Sequence, residues 1–488
     1  MNMINPLELI QGVADRLFVN GQWVKPTSQN SLEVISPANE DVLFTYHEAS
    51  TADIDLAVAA ARDAFDNGEW PRLSPEERSK YLTKVADLLR ERMPDLAKAW
   101  TVQVGAPIGL TQKLVGQQPQ LFDYYADLAK TYPFEEERTR PDGNRTMVLR
   151  EAVGVVAAIT PWNAPMVLLC YKVAAALAAG CTIVAKPSPE TPLEAMIMAE
   201  CIEQAGLPKG VFNLVPAGRE VGDYLIRHDG IDKVSFTGST AAGKHIASVC
   251  GEKLTRFNLE LGGKSAALFL EDADFAAALP SLMVYSMPIT GQVCFSLTRI
   301  IVPESRKDEF IDMYVAAVAN IKVGDPQDPT TLMGPLTMKR QLDRVQNYIE
   351  SGKKQGANLA CGGGVPANLN KGYYIEPTVF TDVTTDMAIA QEEIFGPVVS
   401  VITYKDLDDA VAKTNDTNYG LSGAIYTQDA ELGYQVAKRI KSGNLSINGF
   451  VVDVTMPFGG FKQSGIGREG GVEGLDAYVE VKAIHLTS

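Results

Sequence analysis

Histidine is scarce in this chain. Four are spread over 488 residues, at His47, His228, His245 and His485, and none sits in an HExxH pattern. A histidine-based zinc site is therefore not expected, and no metal is. The six cysteines (Cys170, Cys181, Cys201, Cys250, Cys294 and Cys361) include no CxxC pair and are too scattered for a disulfide framework. A GxSxG elbow is absent, which removes support for a serine hydrolase of that kind. Long apolar runs are missing as well. The most apolar region, 153–185, is broken by Pro161, Asn163, Pro165, Lys172 and Gly180, so nothing reaches the roughly 18 residues of a membrane span. The opening "MNMINPLELIQGVADRLFVNG" carries Glu8 and Asp15 where a signal peptide has basic and then apolar residues. Positive charge is in deficit, with a formal net charge of −16. Such a surface repels nucleic-acid phosphates and anionic lipid. The expectation is a cytoplasmic protein with no nucleic-acid or membrane partner.

What is present is a rhythm. At roughly 100–200 residues per domain, the length allows two or three domains. Residues 50–101 read as helices, with capping boxes at Ser50/Asp53 and Ser74/Glu77. From 151 short apolar runs rich in β-branched residues alternate with helical stretches: "VGVVAAIT", "CTIVAKPS", "VFNLVPA", "KVSFTGS", "RFNLEL" and "SAALFL". The helix in "TPLEAMIMAECIEQAG" has Thr191, Pro192 and Glu194 in the positions of a cap, first turn and capping acid. This alternation implies βαβ units and a parallel sheet covered on both faces. A second α/β region spans about 263–465 and includes "TRIIVP", a helix over 304–323, "VVSVITY", "DLDDAVAKTN" and "SGAIYT". The polar stretch "RTRPDGNRTMVLREA" and the late "DAYVEVKAIHLTS" both read as exposed strands, able to pair with each other or with another subunit.

Several motifs bear on chemistry. "FTGSTAAGKH" has the glycine and lysine spacing of a P-loop, but His245 stands where Ser or Thr would reach Mg²⁺. It follows a strand and opens a helix, where free N–H groups and the positive dipole end attract phosphate. A ligand-free strand–helix turn is the plainer alternative. The GxGxxG at Gly465, Gly467 and Gly470 has neither the strand–helix context nor an acid at the right distance beyond it, and reads as a decoy. Cys294, in the polar "TGQVCFS", is the one cysteine outside an apolar or helical pattern. It is either a nucleophile or a structural residue. Glu260, in "LELGGKS", is either a base or a solvated strand-end acid.

Taken together and in order, "PWNAP", "KPS", "FTGST", "LELGGKS", "GQVC", "EEIFGP", "NYGLS" and "MPFGGFKQSGIGRE" resemble the NAD(P)-dependent aldehyde dehydrogenase superfamily, from "NGQWV" to "AYVEVK". The 34 positions between Glu260 and Cys294 suit that family. The resemblance implies an α/β fold with a Rossmann-like parallel-sheet cofactor domain (1–129 and 152–262), an α/β catalytic domain (263–477) and a small β oligomerisation element (130–151 and 478–488). It implies Cys294 as nucleophile, Asn163 as oxyanion donor and Glu260 as the base for hydrolysis. Lys172 and Glu469 match a proton relay or form a structural ion pair.

For a bound NAD, the resemblance points to Ile159, Thr160, Pro161, Trp162, Lys186, Ser188, Gly218 and Gly222 on the adenosine side. Phe236, Thr237, Gly238 and Ser239 would meet the pyrophosphate, and Leu261, Gly262, Glu393 and Phe395 the nicotinamide half. The slot of the usual ribose-binding acid holds Pro189, with Glu190 displaced by one, which leaves NADP open. Positions expected near the aldehyde are Met166, Cys170, Tyr171, Met287, Val293, Phe295, Phe450, Val451, Val452 and Phe458. They are mostly apolar, with no Lys or Arg to hold a carboxylate. A hydrophobic aldehyde, aliphatic, terpenoid or aromatic, is the expected substrate, handled by a homodimer or homotetramer. A CoA-acylating relative, a P-loop-type nucleotide hydrolase and a non-catalytic member are the alternatives. Glu260 favours hydrolysis by water over transfer to CoA.

Overall fold

The alternation after residue 151 is realised as a parallel sheet. In the computed structural model of the chain, which describes residues 4–10 and 12–486, five parallel strands lie side by side. Their order is Arg256–Glu260, Lys233–Thr237, Val155–Ile159, Thr182–Lys186 and Phe212–Leu214. Antiparallel Gly465–Ile466 extends one edge, and Leu17–Val19 with Gln22–Val24 extends the other. Val155–Ile159 at the centre is apolar throughout because both faces are covered. Val155 and Ala157 pack with Ile54, Ala57, Val58 and Ala61 of the helix Thr51–Asp66. Val156 and Ala158 point the other way, into the core that holds Leu169 and Val173 of the helix Pro165–Ala179. The period of two along the strand thus feeds two separate cores.

The chain lays down Val155–Ile159 first, moves to one side as far as Phe212–Leu214, then returns to add Lys233–Thr237 on the other side. Strand order reverses between these two neighbours, and a crevice opens at their carboxyl ends, where open α/β sheets bind ligands.

Both capping boxes form: Ser50 with Asp53, and Ser74 with Glu77. The third expected cap does not. The helix runs Leu193–Ala205 behind Pro192, with no side-chain cap, and the buried Thr191 hydroxyl has no partner. Glu194 does not fold back on its own helix start; its carboxylate accepts from Gln103 Nε2 at 2.8 Å.

The second region forms a sheet of seven strands. Their order is Asn358–Cys361, Thr378–Thr381, Val398–Tyr404, Arg299–Pro303, Ala266–Phe269, Ser422–Tyr426 and Asn444–Ile447, and only the first is antiparallel to its neighbour. The helix expected over 304–323 is shorter, a 3₁₀ turn Glu304–Arg306 followed by Lys307–Ala319. A third sheet pairs the two exposed strands within the chain. Val479–His485 runs antiparallel to Arg145–Ala152, which pairs in turn with Glu135–Thr139. The last two residues of the expected 478–488 strand lie outside the described residues. Among the described residues, no helix is long and apolar enough to cross a membrane.

Candidate active site

The crevice at the switch point holds a cavity of about 270 Å³. Its walls come from both large sheets. Pro161, Trp162 and Asn163 follow the strand Val155–Ile159, and Thr237, Gly238 and Ser239 follow its neighbour. Leu261 and Gly262 close the floor, and Cys294, Glu393 and Phe395 arrive from the second region.

Cys294 sits half-buried in a turn behind the short helix Pro288–Gly291. That helix carries unusual backbone. Ile289 and Thr290, both β-branched, have φ of 46° and 58°, and Phe395 across the cavity has φ of 61°. Left-handed conformations at such residues are sparsely populated and cost of order 1–3 kcal/mol each. Close packing keeps them there: a Cβ on Gly291 would lie 2.2 Å from the Gly396 carbonyl oxygen. Gly263 abuts the Cys294 carbonyl in the same way, at 2.3 Å. Burial pushes the Cys294 thiol well above its usual range, and the Glu393 and Glu260 carboxylates add to the shift.

Glu260 ends the strand Arg256–Glu260, buried, with neither carboxylate oxygen hydrogen-bonded. Burial, then the Glu469 carboxylate, push its proton affinity well up, against Lys172 and Arg468. Gly459 leaves it room, since a Cβ there would meet Glu260 Oε1 at 2.7 Å. Asn163 Nδ2 donates to the Gln292 carbonyl at 2.8 Å, two residues before the thiol. Its own carbonyl accepts from Trp100 Nε1 at 2.9 Å. Lys172 Nζ, fully buried, lies 2.5 Å from Glu469 Oε1 and 2.7 Å from Thr237 Oγ1.

The remaining dinucleotide candidates gather beyond Trp162. Lys186 Nζ donates to the Ala217 carbonyl at 2.8 Å, and Gly222 packs against its side chain. Burial lowers the Lys186 ammonium to about 8, while Glu190 and Glu48 hold it up. Gly218 N–H donates to Glu48 at 2.7 Å. Ser188 Oγ bonds the displaced acid Glu190, which also meets Arg340 at 2.5 Å. Ile159 closes its strand, the neighbouring Thr160 hydroxyl is buried without a partner, and the Phe236 ring packs beneath Gly238. Ser239 caps the helix Thr240–Lys253, its Oγ accepting from Ala242 N–H. Lys244 instead donates to Gln463, and His245 pairs with Asp223, so neither completes a P-loop. The GxGxxG glycines lie on the antiparallel edge strand Gly465–Ile466 and the turn after it.

Among the positions expected near an aldehyde, Phe295 and Phe450 have ring centroids 5.3 Å apart, and Phe295 and Phe458 6.5 Å. Tyr285 joins them, 4.8 Å from Phe450. Met287, Val293 and Tyr171 are buried, and Val451 is exposed. Two expected positions need correction. Met166 and Cys170, one helical turn apart, are wholly buried in the first core, and Cys170 faces Glu194 and Cys201. The open positions of that helix are Val167 and Leu168, and Leu168 lines the cavity. Sequence reasoning also missed Gln341 and Arg344, which line the cavity and donate to backbone carbonyls of 393–395, and the Trp100–Asn163 bond. Helical periodicity would have separated Val167 and Leu168 from Met166 and Cys170; nothing local marks the others.

A family model described as "Aldehyde dehydrogenase family" matches residues 23–484. A geranial dehydrogenase of Castellaniella defragrans is 43% identical over 471 residues, which cover 96% of this chain and 98% of that protein. The crystal structure of a Mycobacterium tuberculosis aldehyde dehydrogenase complexed with NAD+ superposes with a TM-score of 0.95 at 43% identity, covering 97% and 98%. A mutant of aldehyde dehydrogenase C from Pseudomonas syringae, complexed with NAD+ and octanal, gives 0.94 at 42%, covering 97% of each.

Proposed function

The chain belongs to the aldehyde dehydrogenase family, and from that premise we propose that it oxidises an apolar aldehyde to the carboxylic acid with NAD as hydride acceptor. One observation carries the reading. The half-buried Cys294 and the amide of Asn163 line one cavity, and the unpaired carboxylate of Glu260 lies close enough to raise the proton affinity of the thiol.

Cys294 Sγ, as thiolate, bonds the carbonyl carbon, and the C=O electron pair moves to oxygen. That charge is met by the second N–H of Asn163 Nδ2 and by the Cys294 backbone N–H, neutral donors suited to a developing oxyanion. Bound NAD supplies the acceptor for the hydride that leaves this carbon. The carbonyl then re-forms as a thioester on Cys294. Glu260 takes a proton from water as the water oxygen bonds the thioester carbon; the C–S bond breaks, releasing acid and thiolate. A carboxylate of raised proton affinity suits that step. Lys172 and Glu469 fix the floor behind Glu260, and Glu469 helps to raise it.

The residues fit a dinucleotide. Gly262 offers bare backbone, since a Cβ there would stand 2.4 Å from Glu393 Oε2. Ser239 and the free N–H groups of its helix suit the pyrophosphate. Glu190 and Glu48 beside Lys186 oppose a 2′-phosphate, which favours NAD over NADP. The aromatic wall of Phe295, Phe450 and Phe458 supports an apolar aldehyde, as do relatives named for geranial and complexed with octanal. Exposed Val481 and Ile484 support assembly with a second copy through the strands in 130–151 and 478–488. The test is a panel of aldehydes with NAD or NADP, followed by nucleotide reduction and by product mass with and without CoA. Free acid and reduced NAD are expected. Acyl-CoA as product, or no nucleotide reduction with any aldehyde, contradicts the proposal.

A further inference from the structure

Four lysines are buried among the described residues. Lys172, Lys186 and Lys233 each donate to an oxygen. Lys264 Nζ alone has no hydrogen-bond partner. It lines a narrow cavity of about 20 Å³, with Arg299, Ser265, Ser422 and Ser442 also in the wall. All three serine hydroxyls are likewise buried and unpartnered. Arg299 spends its guanidinium on the carbonyls of Lys264, Lys413 and Thr414, and neither cation has an ion-pair partner among the described residues. Burial and the neighbouring Arg299 push the Lys264 ammonium down to about 7; the Glu393 and Glu392 carboxylates only partly offset this.

A buried ammonium without an acceptor is costly, and so are two cations around one void. The void admits one or two water-sized species, at roughly 10–15 Å³ each. A bound cation would meet two like charges there. Water would accept from Lys264 but would leave the charge uncompensated. A small anion meets both needs, taking hydrogen bonds from the ammonium and the hydroxyls. We propose that this cavity is a binding site for a halide-sized monovalent anion, held by Lys264, Ser422 and Ser442 beside Arg299. The site is distinct from the reaction cavity. Gly263 divides them, touching the Cys294 carbonyl on one side and Leu421, in the wall of the anion cavity, on the other.

The direct test uses the intact protein crystallised in bromide, with diffraction measured at the bromine edge. An anomalous peak beside Lys264 Nζ is expected, and it should vanish in a Ser422→Ala/Ser442→Ala double variant or in Lys264→Met. Should those variants fail to fold, the wild-type map decides alone. In solution, replacing gluconate by chloride or bromide at equal ionic strength should raise Tm by roughly 2–4 °C. A cavity that contains only water in the bromide map, or a Tm indifferent to halide, overturns the proposal.

Discussion

The two ends of the crevice are built on opposite rules. Around Lys186 the charged groups are paired: its ammonium with carbonyls, Glu190 with Ser188 and Arg340, Glu48 with the Gly218 N–H. Around Cys294 they are not. Glu260 has two unpartnered oxygens, and three nearby residues hold left-handed backbone. Buried charged groups are normally satisfied, so an orphaned carboxylate needs a reason. Under the proposed function, groups at the first end are fixed to hold a ligand, and those at the second are left available for bonds that exist only while chemistry proceeds, with the surrounding packing bearing the strain.

Substitutions at the second end should cost most. Cys294→Ser should lower turnover by three orders of magnitude or more while NAD still binds, measured by nucleotide reduction and by fluorescence titration. Normal turnover would end the comparison outright. Glu260→Gln should slow turnover by about 10²–10⁴ and accumulate an acyl-enzyme, seen as added mass on the intact chain. Deacylation at the wild-type rate would show that the orphaned carboxylate is not the base. Asn163→Ala should lower kcat by about 10²–10³ with little change in NAD affinity.

A pH profile sharpens the same contrast. Glu260 and Cys294 both have raised proton affinity, so activity should climb as pH rises through their ionisation. In Glu260→Gln the thioester-hydrolysis step should lose its part of that climb, read by single-turnover kinetics. The smallest effect belongs to the first end. Glu190→Gln removes one charge facing Lys186 and should raise kcat/KM for NADP relative to NAD by roughly tenfold, about 1.4 kcal/mol. An unchanged ratio would mean that the paired end does not discriminate by charge.

Features set by short-range bonds were legible in the sequence. The capping boxes at Ser50 and Ser74 form because cap and acid lie three residues apart on one turn. The strands around 155–159 and 182–186 were readable because burial on both faces leaves short, mostly apolar runs. Thr191 looked like a cap by the same logic, yet its helix starts at Leu193 because Glu194 has a partner in Gln103, 91 residues earlier. Cys170 is among the positions expected near the aldehyde, whereas the helix buries it beside Glu194 and Cys201. Trp100 bracing Asn163, and Glu190 reaching Arg340, depend on which surfaces meet in three dimensions, and one sequence carries no local mark of that. The role of Lys264 was hidden for the same reason: its distinction is the absence of a neighbour, visible only once the neighbours are in place.

The edge strand Gly465–Ile466 has a consequence for how the molecule is made. It hydrogen-bonds to Leu259 and Glu260, and Val479–His485 joins Arg145–Ala152 more than 300 positions back. A nascent chain emerging from the ribosome can assemble the helices and the inner parallel strands early, because their contacts are local in sequence order. Yet the Glu260 strand keeps an open edge until residue 466 has been synthesised, and exposed edges recruit foreign strands. Fragments cut between the two sheets should therefore aggregate rather than behave as separable halves, and Glu260, the proposed base, is among the last groups to find its final surroundings.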